Sequence, residues 1–236
     1  MGLGGHRLSA EGARLLLSHS WLARMPADFQ NAVLRCAIWY QAEPGRTFIR
    51  AGDEQGGMFG IASGSANVGL GEGHPDTAAL HIVGAGFWAG YRPLLGRSRN
   101  INLVARTQVL WALIPQAAMA QMLSENAGWW QHLMQLSEDN MEMVASALAD
   151  LTLRDTAQRA IAVLLRLANC RSPDALEPSS VCLRVTQNEL AEMAVMSRNT
   201  LRTVVQNLID ADLVEIRYRS LRLKDAAKLR AMLEAT

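Results

Sequence analysis

Arg198, Asn199 and Arg202 are the residues of this 236-residue chain best spaced for chemistry, and that chemistry is hydrogen bonding to base edges. An arginine can grip guanine O6/N7 with two bonds, and an asparagine adenine N6/N7. The three fall in the opening turn of the second helix of TQNELAEMAVMSRNTLRTVVQNL, residues 186–208. Thr186 reads as the N-cap of a first helix, with Glu189 three residues on where a capping box places it. Leu190, Met193 and Ala194 keep helical spacing on that helix. Ser197 caps the second, whose core face is Leu201, Val204, Val205 and Leu208. This pattern is a helix-turn-helix, which points the start of its second helix into the major groove of double-stranded DNA. Thr186, Gln187, Ser197, Thr200 and Thr203 complete the candidate DNA-contacting set. The plainer alternative is two amphipathic core helices with solvated charges.

Residues 213–223, LVEIRYRSLRL, alternate apolar and polar with a break near Ser220, as a hairpin does. Their exposed positions are largely basic: Arg217, Arg219, Arg222 and then Lys224. A basic hairpin beside a reading helix suits phosphate contacts, which position a protein without reading sequence. Charged edges also guard strands against unwanted pairing, so the hairpin favours DNA only together with the helices.

These groups need a scaffold. Residues 1–36 read as helix in two pieces around SHSWLARMP, with Pro26 in the first turn of the second piece. From 38 to 118 the chain turns to short apolar runs broken by glycine, which implies a β-sandwich or barrel. Residues 125–153 then read as one helical stretch. On it Trp130, Met134, Ser137, Met141, Val144, Leu148 and Leu151 recur at alternating steps of four and three. That is an a/d seam, apolar except for Ser137, and it suits either intramolecular core or a parallel helix pair. We favour the pair, a homodimer, because such readers address two half-sites about 34–36 Å apart. A further buried helix spans Asp155 to Cys170, and residues 171–180 form a loop. The expected domains are 1–124, 125–153 and 154–236.

Composition narrows the class. Half of the residues are hydrophobic, enough for a substantial core. No apolar run reaches about 18 residues, so no membrane span is expected. The opening MGLGGHRLSAEG lacks the apolar core of a signal peptide, and a cytoplasmic protein is expected. Cys36, Cys170 and Cys182 are distant and unpaired by motif, which argues against a metal cluster or disulfide scaffold. Cys182 reads as a small core residue, although oxidation there would lie beside the reading motif. Segment 154–236 carries 13 Lys+Arg against 10 Asp+Glu, and the remainder 10 against 12, so positive charge gathers where the reader lies. His74, His81 and His132 form no ligand pair, and no metal or cofactor is expected.

The chain resembles the Crp/Fnr family of bacterial transcription regulators over nearly its whole length. The landmarks are PGRTFIRAGD, the GAGFWAG turn, NLVARTQVLWALIP, RAIAVLLRLA and the 186–208 motif. The resemblance implies an α+β chain: an N-terminal cyclic-nucleotide-binding-type β-roll (a jelly roll), a long dimerisation helix and a C-terminal winged helix-turn-helix. It implies RNA polymerase as a partner if the protein is an activator. Arg198 matches the family's first base-reading arginine. Asn199 stands where many members have glutamate, Arg202 where a small residue is usual, and Thr203 where arginine is frequent. Val195 occupies the usual turn glycine position, and a β-branched residue is poor at φ > 0. The turn is therefore expected to be reshaped.

The effector pocket departs further. Relatives that bind cyclic AMP use a glutamate for the ribose, an Arg-Ser pair for the phosphate and a Thr-Ser pair on the long helix for the base. Here those positions read Gly90, Arg99 with Asn100, and Val144 with Ala145; Asn140 joins Gly90, Arg99, Asn100 and Val144 as a candidate effector contact. Each lost buried hydrogen-bond partner costs about 1–3 kcal/mol, which argues against cyclic AMP as the effector. Phe87, Trp88, Tyr91 and Trp111 read as core rather than ligand box. Arg97 and Arg99 read as solvated loop charges, with anion binding as the alternative. The expected function is a homodimeric, sequence-specific regulator without enzymatic activity. The alternative is a small-molecule sensor or partner-binding protein whose C-terminal domain does not read DNA specifically. A cupin-type enzyme would need a clustered His/Glu metal set, which the sequence lacks.

Overall fold

Alternation along the strands divides the N-terminal half between two hydrophobic cores. The computed structural model describes residues 6–7, 10–18, 20–53, 56–71, 81–171, 181–218 and 220–234. Contacts divide the chain into two units, Met1–Met141 and Glu142–Thr236.

The first unit opens with β1 (His6–Arg7), α1 (Ala10–Leu16), a 3-10 turn (Leu22–Arg24) and α2 (Ala27–Cys36). The expectation of two helical pieces in 1–36 needs two amendments, a short strand and the 3-10 turn. Pro26 precedes α2 at its N-cap, in extended backbone, rather than lying in its first turn. Strands follow: β2 (Ile38–Ala42), β3 (Thr47–Ile49), β4 (Gly57–Ser63), β5 (Ser65–Leu70), β6 (His81–Gly84) and β7 (Trp88–Ala89). A 3-10 turn (Arg92–Leu95) leads to β8 (Ile101–Ala105), β9 (Val109–Pro115) and α3 (Gln116–Glu125). The strands form a five-stranded sheet, β1-β2-β9-β4-β7, and a four-stranded sheet, β3-β8-β5-β6. All pairings are antiparallel, as a jelly roll requires.

Strand β4 shows why two cores exist. Successive side chains point to opposite faces. Met58 and Ala62 join Phe29, Val33 and Met119 beneath the helices. Phe59 and Ile61 join Leu103, Val109 and Trp111 inside the roll. A strand covered on both faces reads as a near-continuous apolar run, which is what β4 is. Between them Gly60 leaves room for the Trp88 indole, which would lie 2.5 Å from any Cβ there. Trp88 and Trp111 are buried, with Phe87 and Tyr91 packed against the two cores.

The long helical stretch is divided. Asn126 adopts an extended φ of −137°, ending α3, and a 3-10 turn (Ala127–Trp129) precedes α4 (Trp130–Thr152). Leu133 and Leu136 of α4 enter the helical core of the first unit.

The second unit holds α5 (Thr156–Leu167), β10 (Val181–Leu183), α6 (Gln187–Met193), α7 (Arg198–Asp210), β11 (Val214–Arg217), β12 (Ser220–Leu223) and α8 (Ala226–Glu234). Asp155 caps α5 by accepting from Gln158 N at 2.8 Å. Ile161, Leu164 and Leu165 of α5 are buried, and α5 packs on α6, α7 and α8. The hairpin β11–β12 gains a third strand, β10, in the order β10-β12-β11. No helix among the described residues is long and apolar enough to cross a membrane.

Candidate nucleic-acid interface

The first helix of the reader starts where its sequence says it must. Thr186 Oγ1 accepts from Glu189 N at 3.2 Å, and Glu189 Oε2 accepts from Thr186 N at 2.8 Å, closing a reciprocal capping box. Leu190, Met193 and Ala194 are buried. Ser197 Oγ accepts from Thr200 N at 3.0 Å and so starts α7. Leu201, Val204, Val205 and Leu208 bury one face of α7. The opposite face leaves Arg198, Asn199, Arg202 and Thr203 exposed, with Gln187 and Thr200 half-buried. Among the described residues, no carboxylate pairs with Arg198 or Arg202. Thr203 Oγ1 donates to Asn199 O at 3.2 Å, so its hydroxyl is turned back on the helix. Thr186 and Ser197 are likewise engaged as caps.

The turn between the helices is kept, contrary to the expectation that Val195 reshapes it. Val195 itself takes the left-handed conformation, φ 48°. Its N–H donates to Glu192 O at 3.1 Å, and Met196 N donates to Ala191 O at 3.0 Å. Those two bonds are a Schellman ending, which glycine usually completes. Asn169 and Asp212 occupy the same place after α5 and α7, with φ 54° and 59°. Asn and Asp tolerate this region; valine is strained in it.

The wing is a hairpin, as its alternation predicts, but its cations are engaged. Arg217 Nε donates to Glu215 Oε1 at 3.1 Å, Arg222 lies 3.9 Å from Glu215, and Lys224 pairs with Asp212. The Arg217 hydrogen bond holds the Glu215 carboxyl below its ordinary range, and the Lys224 bond does the same for Asp212. Arg219 lies outside the described residues. Tyr218, at the turn, is exposed. The third strand escapes sequence reading because three residues carry no period. Cys182, expected in the core, is exposed on that strand, where it pairs in register with Arg222. The neighbouring Leu183 is buried instead.

Along α4 the seam is bare. Trp130, Met134, Met141, Val144, Leu148 and Leu151 are all exposed, Met134 and Leu148 at 67% and 65%, and Ser137 is half-buried. The buried side of the helix in the second unit ends on Asp150, which the sequence reading misses. Asp150 exposes no surface and accepts from Arg166 Nε at 2.9 Å and Arg171 Nε at 3.3 Å. No local spacing announces it, since both arginines lie beyond the helix that carries it.

Within the roll, Gly90 has φ 96° and Asn100 is exposed. Arg97 is exposed as a solvated loop charge, but Arg99 departs from that expectation and is only 6% exposed. Its Nη2 donates to Gly57 O at 2.5 Å and its guanidinium carbon lies 5.3 Å from the Phe59 ring centre. Desolvation pushes its pKa down, with Asp53 opposing. Asn140 Nδ2 donates to Trp88 O at 3.1 Å, so this side chain ties α4 to β7. His132 is buried against Phe29, His81 lies in β6, and His74 is outside the described residues. Among the described residues, no three His, Cys, Asp or Glu side chains gather as a metal site.

Comparison with known proteins matches both halves. The family model described as a cyclic nucleotide-binding domain covers residues 40–126, and that described as a Crp-like helix-turn-helix domain covers 158–232. The chain is 23% identical over 171 residues to the cAMP-activated global transcriptional regulator CRP of Haemophilus influenzae, spanning 71% of this chain and 75% of that one. Among solved structures it is similar to the c-di-GMP responsive global regulator CLP of Xanthomonas campestris, with TM-score 0.62 and 24% identity over 85% of this chain and 100% of that one. It is also similar to a CRP/FNR-family transcriptional regulator from Thermus thermophilus, with TM-score 0.58 and 23% identity over 83% of this chain and 98% of that one.

Proposed function

The chain belongs to the Crp/Fnr family of transcription regulators, and from that premise we propose that it is a homodimeric, sequence-specific DNA-binding regulator not controlled by cyclic AMP. The observation that carries this reading is the start of α7. There a serine cap presents Arg198, Asn199 and Arg202 together, exposed, with both arginines unpaired among the described residues. Arg198 would read guanine and Asn199 adenine. Arg202 adds a cation one turn on, giving a half-site preference of its own. Arg217 and Arg222 of the wing would contact phosphates, because ion pairs on a surface are weak enough to exchange partners.

The bare seam of α4 supports pairing with a second copy, which would set two reading helices on successive turns of DNA. For the effector, Gly90, Asn100, Val144 and Ala145 supply none of the polar groups that cyclic-AMP-binding relatives use. As an activator it would engage RNA polymerase.

Genomic footprinting with the purified chain, with and without small molecules from cell extract, tests the reading. Protection of a discrete set of palindromic sites is expected, surviving competitor DNA. Only diffuse, steeply salt-dependent protection would favour a sensor or partner-binding protein that does not read DNA specifically.

A further inference from the structure

Arg99 sits in a loop, yet the protein buries it. Its main chain is pinned on both sides, Arg99 N donating to Asp53 O at 3.1 Å and Gly52 N donating to Arg99 O at 2.8 Å. Its side chain then turns inward onto the Gly57 carbonyl and the face of Phe59. Two glycines make the space. A Cβ on Gly56 would lie 2.6 Å from Arg99 Nε and Nη2 and 2.8 Å from Cζ, so its three nearest neighbours are all this guanidinium. A Cβ on Gly90 would lie 2.7 Å from Arg99 Nη1. Position 90 is where cyclic-AMP-binding relatives align a glutamate. In this chain a side chain there would meet the buried guanidinium and, at the same 2.7 Å, the Gly57 carbonyl, from a backbone with φ 96°.

We propose that Arg99 is a built-in occupant of the roll, its guanidinium filling an intramolecular site made by Gly56, Gly90, the Gly57 carbonyl and the Phe59 ring. A buried cation is costly unless its environment replaces water. Here a carbonyl, a π-face and the nearby Asp53 charge do so. On this guanidinium, Nη1 is buried without a hydrogen-bond partner among the described residues. The guanidinium thereby fills this part of the roll from within the chain. This inference does not depend on whether α7 reads DNA.

The test is a double-mutant cycle on the full-length chain, read by thermal melting. Gly56 has no left-handed φ and its added Cβ would meet the guanidinium first, so Gly56→Ala probes chiefly that contact. We expect Gly56→Ala to lower the melting temperature by roughly 3–8 °C in the wild type, and by much less in an Arg99→Ala background. Methylguanidinium chloride should raise the melting temperature of Arg99→Ala relative to tetramethylammonium chloride at equal concentration. Additive penalties, or a harmless Gly56→Ala, would show that the guanidinium is not seated there. Inorganic phosphate or cyclic AMP is expected to leave the wild-type melt in place. A rise with either that is lost in Arg99→Lys would make Arg99 a receptor for an external anion and overturn the proposal. Should Arg99→Ala not fold, Arg99→Lys replaces it in the cycle. NMR of the wild type then adds a check: a slowly exchanging Arg99 Nε–H is expected, and rapid exchange counts against the proposal.

Discussion

Asp150 and Arg166 form a buried ion pair, Oδ2 to Nε at 2.9 Å, between the last turn of α4 and the C-terminal half of α5. Both side chains are almost fully withdrawn from water, and Arg171 closes the second carboxylate oxygen. Removing one partner strands the other charge. Asp150→Ala should therefore cost the C-terminal unit about 3–5 kcal/mol in urea denaturation. Replacing both partners with apolar residues of similar volume, Asp150→Leu with Arg166→Met, should cost much less. A loss below about 1 kcal/mol for the single variant would contradict the pairing.

Arg198→Ala should weaken operator binding by about 1–3 kcal/mol and relax selectivity at one base position, leaving the salt dependence nearly unchanged. Arg217→Ala should instead weaken all sequences alike and reduce the salt slope by about one. Mobility shifts across a salt series with a panel of single-base operator variants separate the two effects. Equal selectivity in wild type and Arg198→Ala would remove Arg198 from the reading set.

A charge in the α4 seam should break the dimer. Met141→Glu and Leu148→Glu place carboxylates on an exposed apolar stripe, where the folded monomer loses little. Sedimentation velocity should show the wild type as a dimer and both variants as monomers with unchanged circular dichroism. Dimeric variants would place the self-association elsewhere.

Val195→Gly should stabilise the reader. The valine is 66% exposed, so little packing is lost, and its left-handed φ is relieved. Strain of about 1–2 kcal/mol offset by the added entropy of glycine leaves a net gain of roughly 0.5–1 kcal/mol. Chemical denaturation reads this directly, and a net loss would mean that the valine side chain makes a stabilising contact within the folded chain.

The wing should loosen in acid. Hydrogen bonds from Lys224 and Arg217 lower the folded-state pKa of Asp212 and Glu215 below their ordinary 3.8 and 4.5. A carboxyl with a depressed folded pKa adds stability above its ordinary value and loses it as pH falls through the folded one. The hairpin should thus be intact above pH 4.5 and lose these contributions on further acidification. Both ion pairs lie at the surface, so the effect is small. Amide shifts of β11 and β12 followed by NMR should move in that window, and less so in Asp212→Asn.

Local rules make much of this chain legible. Thr186 with Glu189, Ser197 with Thr200 and the steps of the α4 seam are all relationships within a few residues, and the structure places each at the element its spacing predicts. What escapes is nonlocal. Arg99 reads as a loop charge because its cradle, Gly56 and Gly90, comes from two other strand ends. Asp150 reads as one more polar helix residue because its partners lie on α5 and just beyond it. Asn126 and Gly128 are only weak breakers within an otherwise helical run, so the break before α4 becomes plain only in the backbone angles. Val195 is unsuited to the turn, as its β-branching says, but the two Schellman hydrogen bonds and the packing of α6 on α7 impose the turn regardless.

If two copies pair through the bare stripe of α4, abundance becomes part of the regulation. A reader assembled from two copies forms at a rate and to an extent that follow the square of chain concentration while monomers predominate. Operator occupancy would then respond to expression level more steeply than linearly, with no effector involved. The same stripe gives newly made monomers a sticky surface until they find a partner. Dosage would thus serve as a threshold for a protein whose roll already contains its own occupant.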